Sequence, residues 1–248
     1  VLQGVLGKLE SQTSLSDLIR VASAMYKALD SRDMVLYFDD EKAQSAVEAL
    51  GWAGNVKETE GDYLYVVDSN VGWSKVDRNI ERNVTYSVDL SRQERPRARL
   101  SVQYVNHSGS GSAPCEPQWQ SRGTDYNQLV NACYWNFIRV YIPNGSRMLS
   151  QTALPLPELS VSVEIGVGTP GEETGGISSS HDKLVYSGLA TVPAQESREV
   201  ELVYDLPADT MAPDGDTLTY TLTMQKQPGV RQRTLTLELV SPDGHSVT

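Results

Sequence analysis

The chain has no apolar run long enough to cross a bilayer as a helix, and no signal-peptide pattern opens it. Positive charge is scarce: 21 Lys and Arg stand against 32 Asp and Glu, a net charge of −11. That sign is wrong for a nucleic-acid binder, which must neutralise phosphates, and it argues against docking on anionic lipid. Histidine is limited to His107, His181 and His245, far apart and without the spacing of a zinc site. No Gly-x-Ser-x-Gly elbow and no phosphate loop occurs, so nucleophilic and nucleotide chemistry have no support. Neither a catalytic constellation nor a cofactor or metal site is expected. The remaining composition, 248 residues with 39% hydrophobic, is that of an ordinary globular chain able to bury one large core or two modest ones.

Cysteine is almost absent as well. The two present, Cys115 and Cys133, flank a segment with Pro114, Pro117, Trp119 and Gly123 that reads as a long surface loop ending in a short helix. Sequence-close cysteines around an irregular loop favour a disulfide; the alternative is two reduced thiols packed as small hydrophobes. A disulfide implies a compartment outside the cytosol. A chain opening on Val1 reads as a piece of a longer protein, so an anchor or export signal is expected in a part not present here.

The first element is helical. Leu15, Leu18, Ile19, Ala22, Met25, Tyr26 and Leu29 recur at helix spacing behind a Ser14-x-x-Asp17 start. Met34 to Phe38 predicts a short strand, Asp39 or Asp40 caps a second helix, and Gly51 ends it. A further strand is predicted over Tyr63 to Val67. Beyond it the period changes to two: strands are predicted at Ile80 to Leu90, Ala98 to Asn106, Ile138 to Ile142, Leu159 to Val167, Val200 to Tyr204, Leu218 to Met224 and Leu235 to Leu239. Gln227-Pro228-Gly229-Val230 suits a type II turn and predicts a hairpin between the last two. Pro155 and Pro157 suggest an extended crossover, and Thr169 to Asp182 a mobile loop. The fold expected is mainly β, an antiparallel β-sandwich, immunoglobulin-like or larger, with a small α/β unit at the N-terminus. The division expected is residues 1–76, a helix-strand-helix-strand unit at the end of a larger domain, and 77–248, the sandwich.

Several strings carry a family resemblance: Leu36-Tyr37-Phe38-Asp39-Asp40 leading to Leu50-Gly51-Trp52-Ala53-Gly54; Asp68-x-Asn70-x-Gly72-x-x-Lys75-x-Asp77; the run from Cys133 to Ser146; and Gln225-Lys226-Gln227-Pro228-Gly229. Together, in this order, they resemble the C-terminal part of the bacterial domain-of-unknown-function family 4012, over most of the chain. Trp73-Ser74 stands where that family often has Gly-Asn. The resemblance implies an extracytoplasmic envelope protein, membrane-anchored at full length, in the company of surface-polysaccharide genes and with no established activity.

The most unusual local chemistry is the segment from Asp68 to Asp77. Asn70 and Gly72 suit a tight backbone, and Asp68, Trp73, Lys75 and Asp77 are candidates to clasp a polar ligand such as a sugar or a phosphate. The competing reading is that Asp68 and Asn70 hydrogen-bond the loop backbone while Lys75 pairs with an acid. Glu58 with Glu60, and Glu172 with Glu173, are carboxylate pairs in polar loops, read as solvated acids rather than glycosidase machinery. Asp214-Gly215-Asp216 faintly resembles a calcium loop but fits a turn. Arg97 and Arg99 share one strand face, the exposed side of a hairpin or an anionic-polymer contact. Trp119, Tyr134, Trp135 and Tyr141 are core, unless some are exposed as a stacking platform for carbohydrate. A noncatalytic binding or scaffold module of the envelope, with a polysaccharide or an envelope protein as partner, is the first expectation. A surface-glycan assembly enzyme whose chemistry lies in a missing N-terminal region is the second. An oligomerisation or protein-interaction domain is the third.

Overall fold

Ser14 starts the first helix by a reciprocal exchange: its hydroxyl accepts from Asp17 N at 3.3 Å, and the Asp17 carboxylate accepts from Ser14 N at 3.4 Å. A computed structural model describes residues 14–92, 94–109, 115, 125–164, 166–214, 217–230 and 234–247. They fall into two units, one reaching Val56 and joined by Lys226–Val230, the other made of Lys57–Gln225 and Arg231–Thr248.

In the first unit, helix α1 covers Leu15–Asp30 and α2 covers Glu41–Ala49, the latter capped by Asp40, whose carboxylate accepts from Ala43 N at 2.9 Å. Gly51, at φ 74°, follows α2 in the left-handed conformation that ends helices. The strand expected over Met34 to Phe38 is not formed. Its backbone bonds locally instead, Met34 N to Ala28 O and Leu36 N to Trp52 O, because helices rather than a second strand flank it.

The second unit is a sandwich of two sheets. Its strands are β1 (Asp62–Asn70), β2 (Ile80–Asp89), β3 (Arg97–Asn106), β4 (Tyr134–Pro143), β5 (Arg147–Gln151), β6 (Gly176–Ser180), β7 (Lys183–Val192), β8 (Ser197–Asp205), β9 (Met211–Asp214), β10 (Thr217–Tyr220), β11 (Leu222–Gln225), β12 (Thr234–Val240) and β13 (Ser246–Val247). The first sheet runs β11-β1-β4-β7-β6 and the second β13-β12-β2-β3-β8-β5, with β9 and β10 as a separate pair. Alternate residues of both sheets point inward: Leu64, Ile138 and Tyr186 from the first meet Tyr86, Leu100 and Leu202 from the second in one core. The boundary expected at 76/77 therefore moves to 56/57, since β1 is built into the first sheet through β4.

Pairing is mostly antiparallel, with two exceptions that overturn the expected final hairpin. β11 lies parallel to β1 and β12 parallel to β2, so the chain crosses from one sheet to the other between them. Gly229 does take φ 73°, as the turn requires, but its N–H donates to Arg32 O, and Lys226 Nζ reaches Ser31 O and Asp33 Oδ1. Alternation told which faces are buried, not which strands are neighbours. The strand expected over Leu159 to Val167 is instead a helical turn, α4 (Val161–Glu164), because Ser160 O accepts from Val163 N and Glu164 N, and Gly166 at φ 74° closes it. The expected mobile loop holds strand β6, which turns into β7 through His181 and Asp182, at φ 52° and 53°, a pair of left-handed residues that suits a two-residue hairpin. Pro155 and Pro157 do lie in an extended connection between the sheets.

Short helix α3 (Tyr126–Val130) precedes Cys133, which is bonded to Cys115 with Cα atoms 5.0 Å apart. Pro114, Pro117, Trp119 and Gly123 lie outside the described residues, as do Gly215 and Asp216 of the calcium-like string. Arg97 and Arg99 both meet acids of β8: Arg97 Nε lies 3.0 Å from Asp205 Oδ1, and Arg99 Nη1 lies 2.5 Å from Glu201 Oε2.

Two interior carboxylates answer oppositely to pH. Asp62 is fully buried; burial pushes its pKa up, and hydrogen bonds from the Tyr220 and Tyr86 hydroxyls and Tyr63 N only partly offset this. Burial also raises Asp205, but Arg147, whose Nη2 stands at 2.6 Å, and Arg97 outweigh it and hold its pKa below the ordinary value. A raised native pKa means that the folded chain keeps a proton the unfolded chain loses, so the Asp62 contribution declines as pH rises above about 4. The depressed Asp205 contributes above about pH 4 and is lost as pH falls through its native value. Urea unfolding from about pH 3 to 7 should show Asp62→Asn removing a fall in stability with rising pH, and Asp205→Asn removing an acid-side loss; parallel profiles would contradict both. Native protein should titrate no free thiol, and Cys115→Ser should cost about 3 kcal/mol in the same assay.

Candidate functional site

Strand β1 sends its even-numbered residues between the sheets, which carries Asp62, Leu64, Val66 and Asp68 inward. Asp68 is thus a buried acid, and partners from three other strands meet it. Arg82 Nη1 of β2 stands 2.6 Å from Oδ2; the Tyr104 hydroxyl of β3 and Asn136 Nδ2 of β4 donate to Oδ1 at 2.5 and 2.8 Å. The paired side chains are only 7% and 4% exposed. Burial first, then the Asp68 charge, pushes the Tyr104 phenol well above its usual value, so it remains a donor.

Asn70, two residues on, organises the loop that follows. Its Nδ2 donates to Asp77 Oδ2 at 2.7 Å and to Ser74 Oγ and O at 3.1 and 3.3 Å, while its Oδ1 accepts from Gly72 N at 3.0 Å. Gly72 lies against Trp135, where a Cβ would come within 3.0 Å of that side chain. Val71 N donates to Trp135 O and Lys75 N to Leu129 O, both at 2.8 Å. Between these anchors Trp73 is at φ 58°, left-handed and costly for a bulky residue, with its side chain 74% exposed.

The five residues singled out in the sequence therefore divide. Asp68, Asn70 and Asp77 are engaged in internal bonds, whereas Trp73 and Lys75 present exposed side chains. The acid partner considered for Lys75 is not found among the described residues. Tyr126 and Arg78 join this surface: Tyr126 is exposed, and Arg78 Nη1 donates to its hydroxyl at 3.5 Å. Neither carried a sequence signal, since an aromatic at a helix start and an arginine in a turn are commonplace. Trp135, Tyr134 and Tyr141 are buried, as the core reading expected. The braced loop thus presents an indole and an ammonium, and the turn and helix beside it an arginine paired with a phenol, side chains of the kinds that stack on and hydrogen-bond a polar ligand.

The opposite end of the first sheet carries a cleft of about 450 Å³ lined by Thr59, Glu60, Gly61, Tyr63, Pro143, Asn144, Asp182, Lys183, Pro207 and Asp209. Of the carboxylate pairs, Glu60 lines this cleft, while Glu173 accepts from Leu154 N and Gly175 N and Glu172 from Thr169 N, the work of loop caps. Among the described residues no group of three or more His, Cys, Asp and Glu is placed to hold a metal ion.

Asn70→Ala should cost about 1–3 kcal/mol in urea unfolding by stranding Gly72 N and releasing Ser74 and Asp77. Trp73→Gly should leave stability equal or higher, because glycine takes φ 58° without strain; a loss as large as that of Asn70→Ala would show that the indole is structural. No family model and no curated protein matches this chain.

Proposed function

We propose that this chain is a noncatalytic binding module of a bacterial envelope protein that presents Trp73 and Lys75 to a surface polysaccharide. The observation that carries the reading is Trp73: an exposed indole in a left-handed backbone conformation, on a loop braced by the Asn70 clamp. An exposed aromatic face stacks on the apolar face of a sugar ring, and neighbouring cations and hydroxyls bond its oxygens. The Cys115–Cys133 disulfide supports an extracytoplasmic setting. No described helix is long and apolar enough to cross a membrane, and attachment through an anchor outside these residues is a further part of the proposal. Membership of the domain-of-unknown-function family 4012, on the strings named above, is part of this proposal.

A second reading, a protein-interaction module, is favoured by α1, where Leu15, Leu18, Ile19, Met25 and Tyr26 are exposed. Titration calorimetry against envelope polysaccharides separates the two. Saturable binding that Trp73→Ala and Lys75→Ala each weaken about tenfold or more, with both variants folded, supports the first. Absence of binding to any polymer overturns it and moves weight to the second.

A further inference from the structure

Lys183 opens strand β7 directly after the left-handed pair His181 and Asp182, and its side chain is 5% exposed. The ammonium sits 4.9 Å from the centroid of the Tyr63 ring, whose hydroxyl donates to Gln225 at 2.6 Å. No acid among the described residues pairs with this lysine, although it lines the cleft described above. An ammonium that lies over a ring, has no ion pair and lines a cleft is placed to donate to an acceptor oxygen entering that cleft.

The surroundings narrow what supplies it. Glu60, Asp182 and Asp209 are exposed residues lining the same cleft, and only Asp182 has a side-chain partner here, Asn144 Nδ2 at 3.0 Å from its Oδ1. Three carboxylates against one ammonium repel an anion, while a simple cation meets Lys183. A hydroxyl suits both, because it accepts from an ammonium and donates to a carboxylate in the same geometry, and adjacent hydroxyls on one ring repeat the arrangement. The cleft volume is that of a small-molecule site. Its walls are braced by turns. Gly61, at φ 78°, brings its backbone so close to Thr221 that a Cβ would stand 2.7 Å from that carbonyl oxygen, and Gly145 turns at φ 81° beside Asn144.

We infer that this cleft, with Lys183 in its wall and Glu60, Asp182 and Asp209 around it, binds a neutral sugar unit through its hydroxyls. The inference rests on the glycan-binding reading and adds to it a second contact, at the end of the sheet away from Trp73. Amide chemical shifts of the whole chain, titrated with glucose, galactose, mannose and N-acetylglucosamine, and separately with glucuronate and inorganic phosphate, test it. At least one neutral sugar should shift the amides of Gly61, Asn144, Gly145 and Lys183, and Lys183→Met and Glu60→Gln should each weaken that binding about tenfold while Trp73→Ala leaves it unchanged. Glu60→Gln decides alone if Lys183→Met does not fold. Silence at these amides with every neutral sugar, or stronger shifts with glucuronate or phosphate, overturns the inference. Silence here with polysaccharide binding intact at Trp73 removes the cleft and leaves the module's function standing; silence at both removes both.

Discussion

The pairing of Asp68 with Arg82 between the sheets is the contact on which the rest of the sandwich depends. A buried charge deprived of its partner costs about 3–5 kcal/mol, so neither strand can shift without the other. A slip of β1 by one residue would turn Asp68 outward and bring Val67 or Ser69 into its place, abandoning Arg82, Tyr104 and Asn136 together. Because these partners come from β2, β3 and β4, one carboxylate locks the register within both sheets and the alignment between them.

Consequences run to both ends of β1. Towards its C-terminal end, Asn70 inherits a fixed position, and from it the loop that holds Trp73 outward is braced by Ser74, Asp77 and the backbone near Trp135. Towards its N-terminal end, Asp62 is locked by phenols rather than by a cation, with Tyr204 donating to Tyr86 and Tyr86 to Asp62. That inward network leaves the outward side of the same sheet end to Tyr63 and Lys183, where the cleft forms. A rigid interior thus supports two different outward chemistries, an aromatic and cationic surface at one end and an acid-lined cleft with a lysine wall at the other.

Much of the fold was legible in local pattern. Strands β2 and β3 alternate along their length, β4 and β8 only in part because runs of consecutive residues are buried there, and α1 and α2 begin at the capping residues their sequences predict. Failures occurred where local bonding or distant neighbours outweighed periodicity: Ser160 turns an alternating stretch into α4, and β11 and β12 separate to different sheets despite a turn-forming link. Around the candidate site the polar loop was visible in Asn70 and Gly72, whereas Arg82, Tyr104 and Asn136 look unexceptional in their own segments. Lys183 reads as any lysine at a strand start.

By itself the sequence determined a mainly β chain with helices at its beginning, a pair of sequence-close cysteines and a net negative charge, because composition, spacing and periodicity are local properties that need no partner. Only the tertiary structure decided which strands are neighbours, that Asp68 is paired with a cation across the core, and that Trp73 is exposed beyond one end of β1 while Lys183 is buried in the wall of a cleft near the other. Side-chain alternation states that a face is buried but not against what, and the choice is made by charges and hydrogen bonds between residues distant in the chain.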